Sequence, residues 1–507
     1  MSTSRIRANT VANYAGTFWA SLMSLIFVPL YIHFMGIESY GLVGIFASLQ
    51  ALFGILDLGL SATMNREMAR LAARPESRQD ARDLARTLET VYWAVAVLLG
   101  AATLLLAGPV TDYWVKPDRL PRETVQQALT IVAFVVALRW PVSFYTGGLM
   151  GLQRQVPLNV IFSVTSTLRG AGAVGVLWLV SPTIQAFFVF QIFCSAIEVA
   201  TLTICLWRFL PPSEKRPRFR VERLKEVWRF SAGMTGITVV VIILLQTDKV
   251  ILSKMLTLEQ FGYYTLAWNV AAVMTRAIAP VCAAVYPRLT ELATRNDEPG
   301  FAALYHKTSQ IVAVLTFPLA ATIVFFSHEI IFLWSHSERL ASNTAPIVSI
   351  LAVGTCFNMI MHTPYYAQLA HGWTSLAFFQ NVASVVVLVP LMILLTLHYG
   401  TSGAALVWVI LNAGYLSIAV NVMHQRILKH ERLTWYVRDV ALPAMAVLAI
   451  AVPAALFMPT PLSVSVHVAY VLVIAGLCFA AAALVTSHTR DLLLDLARGG
   501  VRGFRVV

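Results

Sequence analysis

The chain has 507 residues, 58% of them apolar and only 12% charged, with a mean hydropathy of +0.72. A soluble domain carries about 25% charged residues, so these proportions exclude a chain that mostly faces water. The formal net charge of +12 is therefore read from where the bases lie before any nucleic acid is invoked.

Runs of roughly 20 apolar residues span the ~30 Å hydrocarbon core as helices, because lipid offers backbone groups no other partner. Fourteen such runs follow one another. The first, 11–34, comes after Arg5 and Arg7. It is too long for a signal peptide, lacks a clear small-residue cleavage site and is followed by a second run at 41–63, so it reads as a membrane span. Runs at 88–108, 126–150, 158–180 and 184–207 complete a group of six. The stretch 208–230, RFLPPSEKRPRFRVERLKEVWRF, is basic and proline-containing and reads as a linker. Within it Val221, Leu224, Val227 and Trp228 have helical spacing, which suits an interfacial helix as well as a solvated connection. A second group of six occupies 231–253, 261–286, 308–328, 343–370, 375–397 and 402–423. The basic segment 424–439 leads to two further runs, 440–458 and 465–486, and a tail whose Leu-rich start suits the membrane interface.

The expected architecture is an all-α integral membrane protein of about fourteen transmembrane helices. It comprises an N-terminal six-helix lobe (1–207), a cytoplasmic linker (208–230), a C-terminal six-helix lobe (231–423), a cytoplasmic basic loop (424–439), helices 13 and 14 (440–486) and a cytoplasmic tail (487–507). With an inside N-terminus, the inner segments hold 28 Lys and Arg, the outer loops five and the spans four, which accounts for all 37. That asymmetry places both termini in the cytoplasm and turns the net charge into topology plus attraction to anionic lipid, with no nucleic acid as partner. The five cysteines all fall in apolar runs without close pairing, and no G-x-x-x-x-G-K occurs. Neither disulfides, a metal site, a bound cofactor nor an ATP-binding loop of that type is expected.

One short pattern occurs twice. Ile37-Glu38-Ser39-Tyr40-Gly41 and Leu258-Glu259-Gln260-Phe261-Gly262 are related by a shift of 221, as are MNREMARLAA from Met64 and VYPRLTELAT from Val285. Each pentapeptide is expected to be the outer turn between the first two helices of a lobe, with Glu38 and Glu259 facing outside water or capping the following helix. The agreement of position and spacing points to a duplicated six-helix unit, inserted twice in the same orientation.

Charges inside the spans carry the chemistry. Arg139, Arg169, Lys249 and Arg276 would together cost roughly 10–14 kcal/mol if central and unpaired, so each needs an acid, water or a bound anion. Asp57, Glu198 and Asp248 are the acids well inside the spans. At ~1.5 Å per residue, Arg139, Arg169 and Arg276 lie roughly 16–22 Å from their helix starts, near mid-membrane. Two readings stand side by side for them: a cationic patch for a phosphate-bearing ligand, or internal ion pairing in which Glu198 satisfies one arginine. Asp57 either closes an inner gate with a base such as Arg66 or reaches interfacial water. Glu198 is a candidate for ion coupling or a structural pair. His33 and His362 read as satisfied core histidines.

Asn13 and the stretches VPLYIHFMGIESYGL (28–42), LFGILDLGLSATMNREMARL (52–71), GGLMGLQRQVPLN (147–159) and QTDKVILSKMLTLEQFGYYTLAW (246–268) resemble the polysaccharide transport family. That family, which includes O-antigen flippases, belongs to the multidrug/oligosaccharidyl-lipid/polysaccharide exporter superfamily. The resemblance covers the whole chain by span count and about its first 290 residues by motif. It implies two lobes in a V around a central cavity, alternating access, and a polyprenyl-pyrophosphate-linked oligosaccharide moved across a bacterial inner membrane. It makes the arginines Arg276, Arg139 and Arg169 candidates for the pyrophosphate, and Asp248-Lys249 a structural or gating pair. The expected partners are the lipid-linked cargo, anionic lipids and glycan polymerase machinery, and the chain is expected to act as a monomer. Two rivals remain: a multidrug or cation antiporter of the same superfamily, and a membrane glycan polymerase or ligase. The first usually has twelve spans and acid-rich cavities. The second needs a sizeable outer domain, whereas the longest outer loop here is 109–125.

Overall fold

The computed structural model describes residues 3–72, 77–213, 215–222, 224–225, 246–459 and 463–491. Much of the expected span 231–253, parts of the 208–230 linker and the tail beyond Asp491 lie outside the described residues. All regular structure among the described residues is helical. Among the described residues, eleven helical stretches are long and apolar enough to cross a membrane. Chain contacts divide the protein into two compact units, Met1–Gly262 and Tyr263–Val507.

In the first unit, the helix Thr3–Ile26 passes through a bend at Phe27 into the helix Val28–Phe53. Pro29 suits this restart because the first turn of a helix has no use for its missing N–H. The chain then turns at Gly36 (φ 81°, ψ 161°), a backbone conformation closed to most residues with a side chain. A second interruption follows at Gly54–Asp57, where Leu58 and Gly59 take positive φ before the helix Leu60–Ala72. The motif at 147–151 explains how that helix is held. A Cβ on Gly147 would stand 2.3 Å from the Ser61 carbonyl oxygen, and one on Gly151 would stand 2.3 Å from that of Asn65. Two glycines four residues apart thus let the helix Val142–Gly151 lie backbone against backbone on Leu60–Ala72. Met64, Met68, Leu84, Leu88, Phe144, Leu149 and Leu206 fill the core around this contact. Asn13 earns its place in the same physical way: Asn159 donates to its side-chain oxygen at 2.6 Å, tying the first helix to Gln155–Leu179.

In the second unit the helix Glu298–Phe325 is central, packing against Val273–Thr294, Glu338–Ile360 and the last two helices, Leu442–Leu456 and Val464–Val485. Ala321, Phe326, Val447, Ile474 and Cys478 share one core there. The stretch Thr374–Arg426 has 53 residues, about 80 Å if straight at 1.5 Å per residue, far beyond the hydrocarbon thickness. It is interrupted at Gly400 (φ 57°, ψ −135°). All five cysteines are free thiols.

The repeated pentapeptides correct one expectation. They are helical, and the turns precede them. Ile37–Gly41 follows the turn at Gly36 inside Val28–Phe53, and Leu258 opens the helix Leu258–Ala271. The second copy carries its own start signal. Thr257 Oγ1 accepts the Gln260 N–H, and Gln260 Oε1 accepts the Thr257 N–H, each at 3.3 Å, a capping box. The two copies also meet, within the Met1–Gly262 unit. A Cβ on Gly41 would lie 2.4 Å from the Leu258 carbonyl oxygen, and one on Gly262 would lie 2.4 Å from that of Ile37. Each glycine admits the first residue of the other copy.

Candidate functional site

The first unit brings two of the candidate arginines to one polar cluster. Arg169, on Gln155–Leu179, donates to Glu198 Oε2 at 2.6 Å and to Gln191 Oε1 at 2.9 Å, both on Ile184–Phe209. Glu198 and Gln191 are buried. Arg169 is therefore ion-paired with Glu198. Arg139 closes the helix Arg122–Arg139 just before Pro141 and donates to Gln50 Oε1 at 3.2 Å, in the last turn before the break at Gly54. It forms no ion pair among the described residues. Arg169 and Glu198 neutralise each other, whereas Arg139 is hydrogen-bonded to a neutral glutamine and keeps its positive charge in the apolar part of the helices.

Asp57 holds a separate position. Its Oδ1 accepts the Tyr92 hydroxyl at 2.5 Å and the Ser143 hydroxyl at 3.2 Å, and its Oδ2 accepts the Ser61 hydroxyl at 2.7 Å and the Ser61 N–H at 3.3 Å. These bonds cap the restarted helix and join it to Arg78–Tyr113 and Val142–Gly151. Arg66 Nη1 lies 3.8 Å from Glu67 Oε1. Lys249 Nζ stands 3.2 Å from both oxygens of Asp248, an ion pair between neighbours. Arg276 is exposed on Val273–Thr294, in the second unit.

Glu38 neither faces outside water nor caps the helix that follows it, the two expectations from sequence. Its side chain is buried, and its carboxylate accepts the backbone N–H groups of Asp118 (2.7 Å), Arg119 (3.1 Å) and Leu120 (3.2 Å). The same loop reaches the second pentapeptide. Leu258 N–H donates to the Lys116 carbonyl at 2.8 Å, Glu259 N–H to Asp118 Oδ2 at 3.3 Å, and Trp114 Nε1 to the Ser253 hydroxyl at 2.9 Å. One loop thus straps both copies of the repeat. Gln50, Gln191 and Tyr92 carry no sequence-based expectation, and the loop 109–125 stands out in sequence only for its length. Glutamines within apolar runs were the available signal for the first two.

Comparison with known proteins adds an independent line. The family described as polysaccharide biosynthesis protein matches residues 33–335. The chain belongs to this family. Among its relatives is a putative O-antigen transporter of Shigella flexneri, 22% identical over 401 residues, covering 79% of this chain and 93% of the relative. A probable low-salt glycan biosynthesis flippase of Haloferax volcanii, Agl15, is 27% identical over 186 residues, 35% of this chain and 39% of that one. Among solved structures, the lipid II flippase MurJ in an inward closed conformation superposes with a TM-score of 0.71 at 14% identity, covering 96% of this chain and 99% of MurJ. An inward-facing multidrug resistance transporter of the MATE family gives 0.64 at 14% identity, covering 84% and 96%. At these identities the structures establish a shared fold. Family, fold and apolar helices together make the chain a multi-pass membrane protein of the polysaccharide biosynthesis family.

Proposed function

We propose that the protein is a flippase that carries a polyprenyl-pyrophosphate-linked oligosaccharide from the cytoplasmic to the outer leaflet of a bacterial inner membrane. The relatives of the family support the class of cargo, and the observation that carries the residue-level reading is Arg139. A guanidinium in the apolar part of the helices, beside an already paired Arg169–Glu198, has charge to spare for an anion. Guanidinium matches phosphate oxygens in bidentate fashion. In this reading Arg139 and Arg169 belong to the pyrophosphate path, with Arg276 as a further contact, and Glu198 sets the charge balance. The fourteen-span topology with both termini inside, and two six-helix lobes followed by helices 13 and 14, complete the picture. The two lobes alternate in opening a central cavity to either side.

The energetics agree with a carrier that uses no nucleotide. A pyrophosphate diester bears roughly two negative charges and the cell interior is negative, so outward movement is downhill by about 2.3 kcal/mol per uncompensated charge per 100 mV. A multidrug antiporter shares the fold, but a cluster with surplus positive charge repels cationic drugs. No catalytic role is proposed for any residue. Binding tests the assignment. Purified protein should retain a short-chain polyprenyl pyrophosphate over the matching polyprenol, and Arg139→Gln should erase that preference. Equal retention of both lipids by the wild type would remove the arginines from the site.

A further inference from the structure

In the second unit, a cavity of about 730 Å³ opens where the chain segments around 292–302, 371 and 426–431 converge. By the distribution of basic residues, these connections lie on the inner side of the membrane. Arg426 is fixed by stacking, its guanidinium carbon 4.6 Å from the Trp373 ring centre. His371 packs edge-on against Phe301, ring centres 4.7 Å apart. Two of the three carboxylates in the lining already have partners. Asp297 Oδ1 caps the Gly300 N–H at 2.9 Å, and Glu431 Oε2 lies 3.1 Å from His306 Nε2. In contrast, Arg426, Lys429 and Glu298 are solvent-exposed in the lining, and none of them forms an ion pair among the described residues. The cavity therefore offers two unpaired cations from one segment and one unpaired carboxylate from another.

This charge pattern discriminates among ligands. A pyrophosphate with roughly two negative charges would meet Arg426 and Lys429, but also the carboxylates of Asp297, Glu298 and Glu431. It gains little there, so the cavity is not a loading site for the carrier lipid. A plain phosphodiester leaves Glu298 unanswered. A zwitterion with a phosphate and a primary ammonium answers all three, the phosphate with Arg426 and Lys429 and the ammonium with Glu298. The volume lies in the range of small-molecule sites. Just past Glu431, Leu433 and Val437, one helical turn apart, are 73% and 50% exposed and offer an apolar flank to acyl chains.

We propose that this cavity binds an aminophosphate zwitterion, supplied by the headgroup of a phosphatidylethanolamine-type lipid or by a soluble aminoalkyl phosphate. The inference concerns a site apart from the flippase reading and rests only on the inner placement of these loops. Delipidated protein in detergent, offered phosphatidylethanolamine, phosphatidylglycerol or phosphatidylcholine, is examined by native mass spectrometry. Phosphatidylethanolamine should be retained at least about tenfold better than either other lipid. The double variant Arg426→Ala/Lys429→Ala should lose that retention. Glu298→Gln, nearly isosteric and therefore safe for folding, should abolish the preference over phosphatidylglycerol. Displacement of the lipid by millimolar phosphoethanolamine supports recognition through the headgroup alone. Selective retention that resists displacement supports the lipid as the source. Equal retention of the three lipids, or selectivity that survives both variants, overturns the proposal. Transport is not read, so either outcome leaves the flippase reading to its own test.

Discussion

Replacing Glu38 by Gln tests the strap that joins the two copies of the repeat. The carboxylate accepts three consecutive backbone N–H groups at 2.7–3.2 Å from a buried position. A hydrogen bond to a charged group contributes about 1.5–3 kcal/mol and a neutral one about 0.5–1.5. The amide of Gln keeps one acceptor oxygen, best spent on the Asp118 N–H, and turns its NH₂ toward the donors of Arg119 and Leu120. The net loss is about 2–3 kcal/mol of local stability, which corresponds to amide exchange roughly 30- to 150-fold faster wherever exchange proceeds by opening of the loop. Hydrogen-exchange mass spectrometry of the peptide over 115–121 reads this directly. The helix Val142–Gly151, which the strap does not touch, serves as the internal control. Unchanged exchange at 118–120 would show that the Glu38 bonds do not hold the loop, and the assignment of a strap would fall.

Three further outcomes follow from the packing. Gly151→Leu drives a side chain into the Asn65 carbonyl and Met68 Cβ, 2.3 and 2.7 Å from the added Cβ; overpacking costs about 1–3 kcal/mol, so thermal unfolding in detergent should occur at clearly lower temperature, and an unchanged transition contradicts the backbone contact. Arg169→Leu leaves Glu198 buried and unpaired, a loss of about 3–5 kcal/mol. The double variant Arg169→Leu/Glu198→Leu should regain most of it, and a double variant as unstable as the single one would argue against the pair. Thr257→Val removes half of the capping box, about 0.5–2 kcal/mol, which should appear as faster exchange over 257–262 with the first pentapeptide unaffected.

Helical spans and the charges within them were legible because each leaves a local mark: an apolar run, or a lone base within it. Where the chain turns was harder. The pentapeptide drew attention, yet the turn falls on Gly36, one residue earlier, because only that position needs positive φ. For Glu38 the sequence leaves outside water and capping of the following helix as the two expectations, and neither names the loop that it holds. Its burial depends on the loop at 118–120, some 80 residues away, and no local pattern records that. Arg169 and Glu198 were both visible as charges in apolar runs, and their pairing was one of two open readings. The contact itself joins two facing helices, which no local pattern records, and Arg139 is left with a neutral partner. Asp57 invited a basic partner, whereas three hydroxyl groups and a backbone N–H satisfy it; neutral donors carry no signature in a sequence.

The central claim is transport of an anionic lipid-linked glycan past Arg139. The protein, reconstituted into vesicles loaded on one leaflet with a labelled polyprenyl-pyrophosphate oligosaccharide, is assayed for label reaching the opposite leaflet, with and without an imposed potential. The account predicts protein-dependent translocation that quickens when the arrival side is positive and falls at least about tenfold in Arg139→Gln, in protein that still folds and inserts. Absence of translocation by the wild type, or a rate indifferent to both the potential and Arg139, would contradict it.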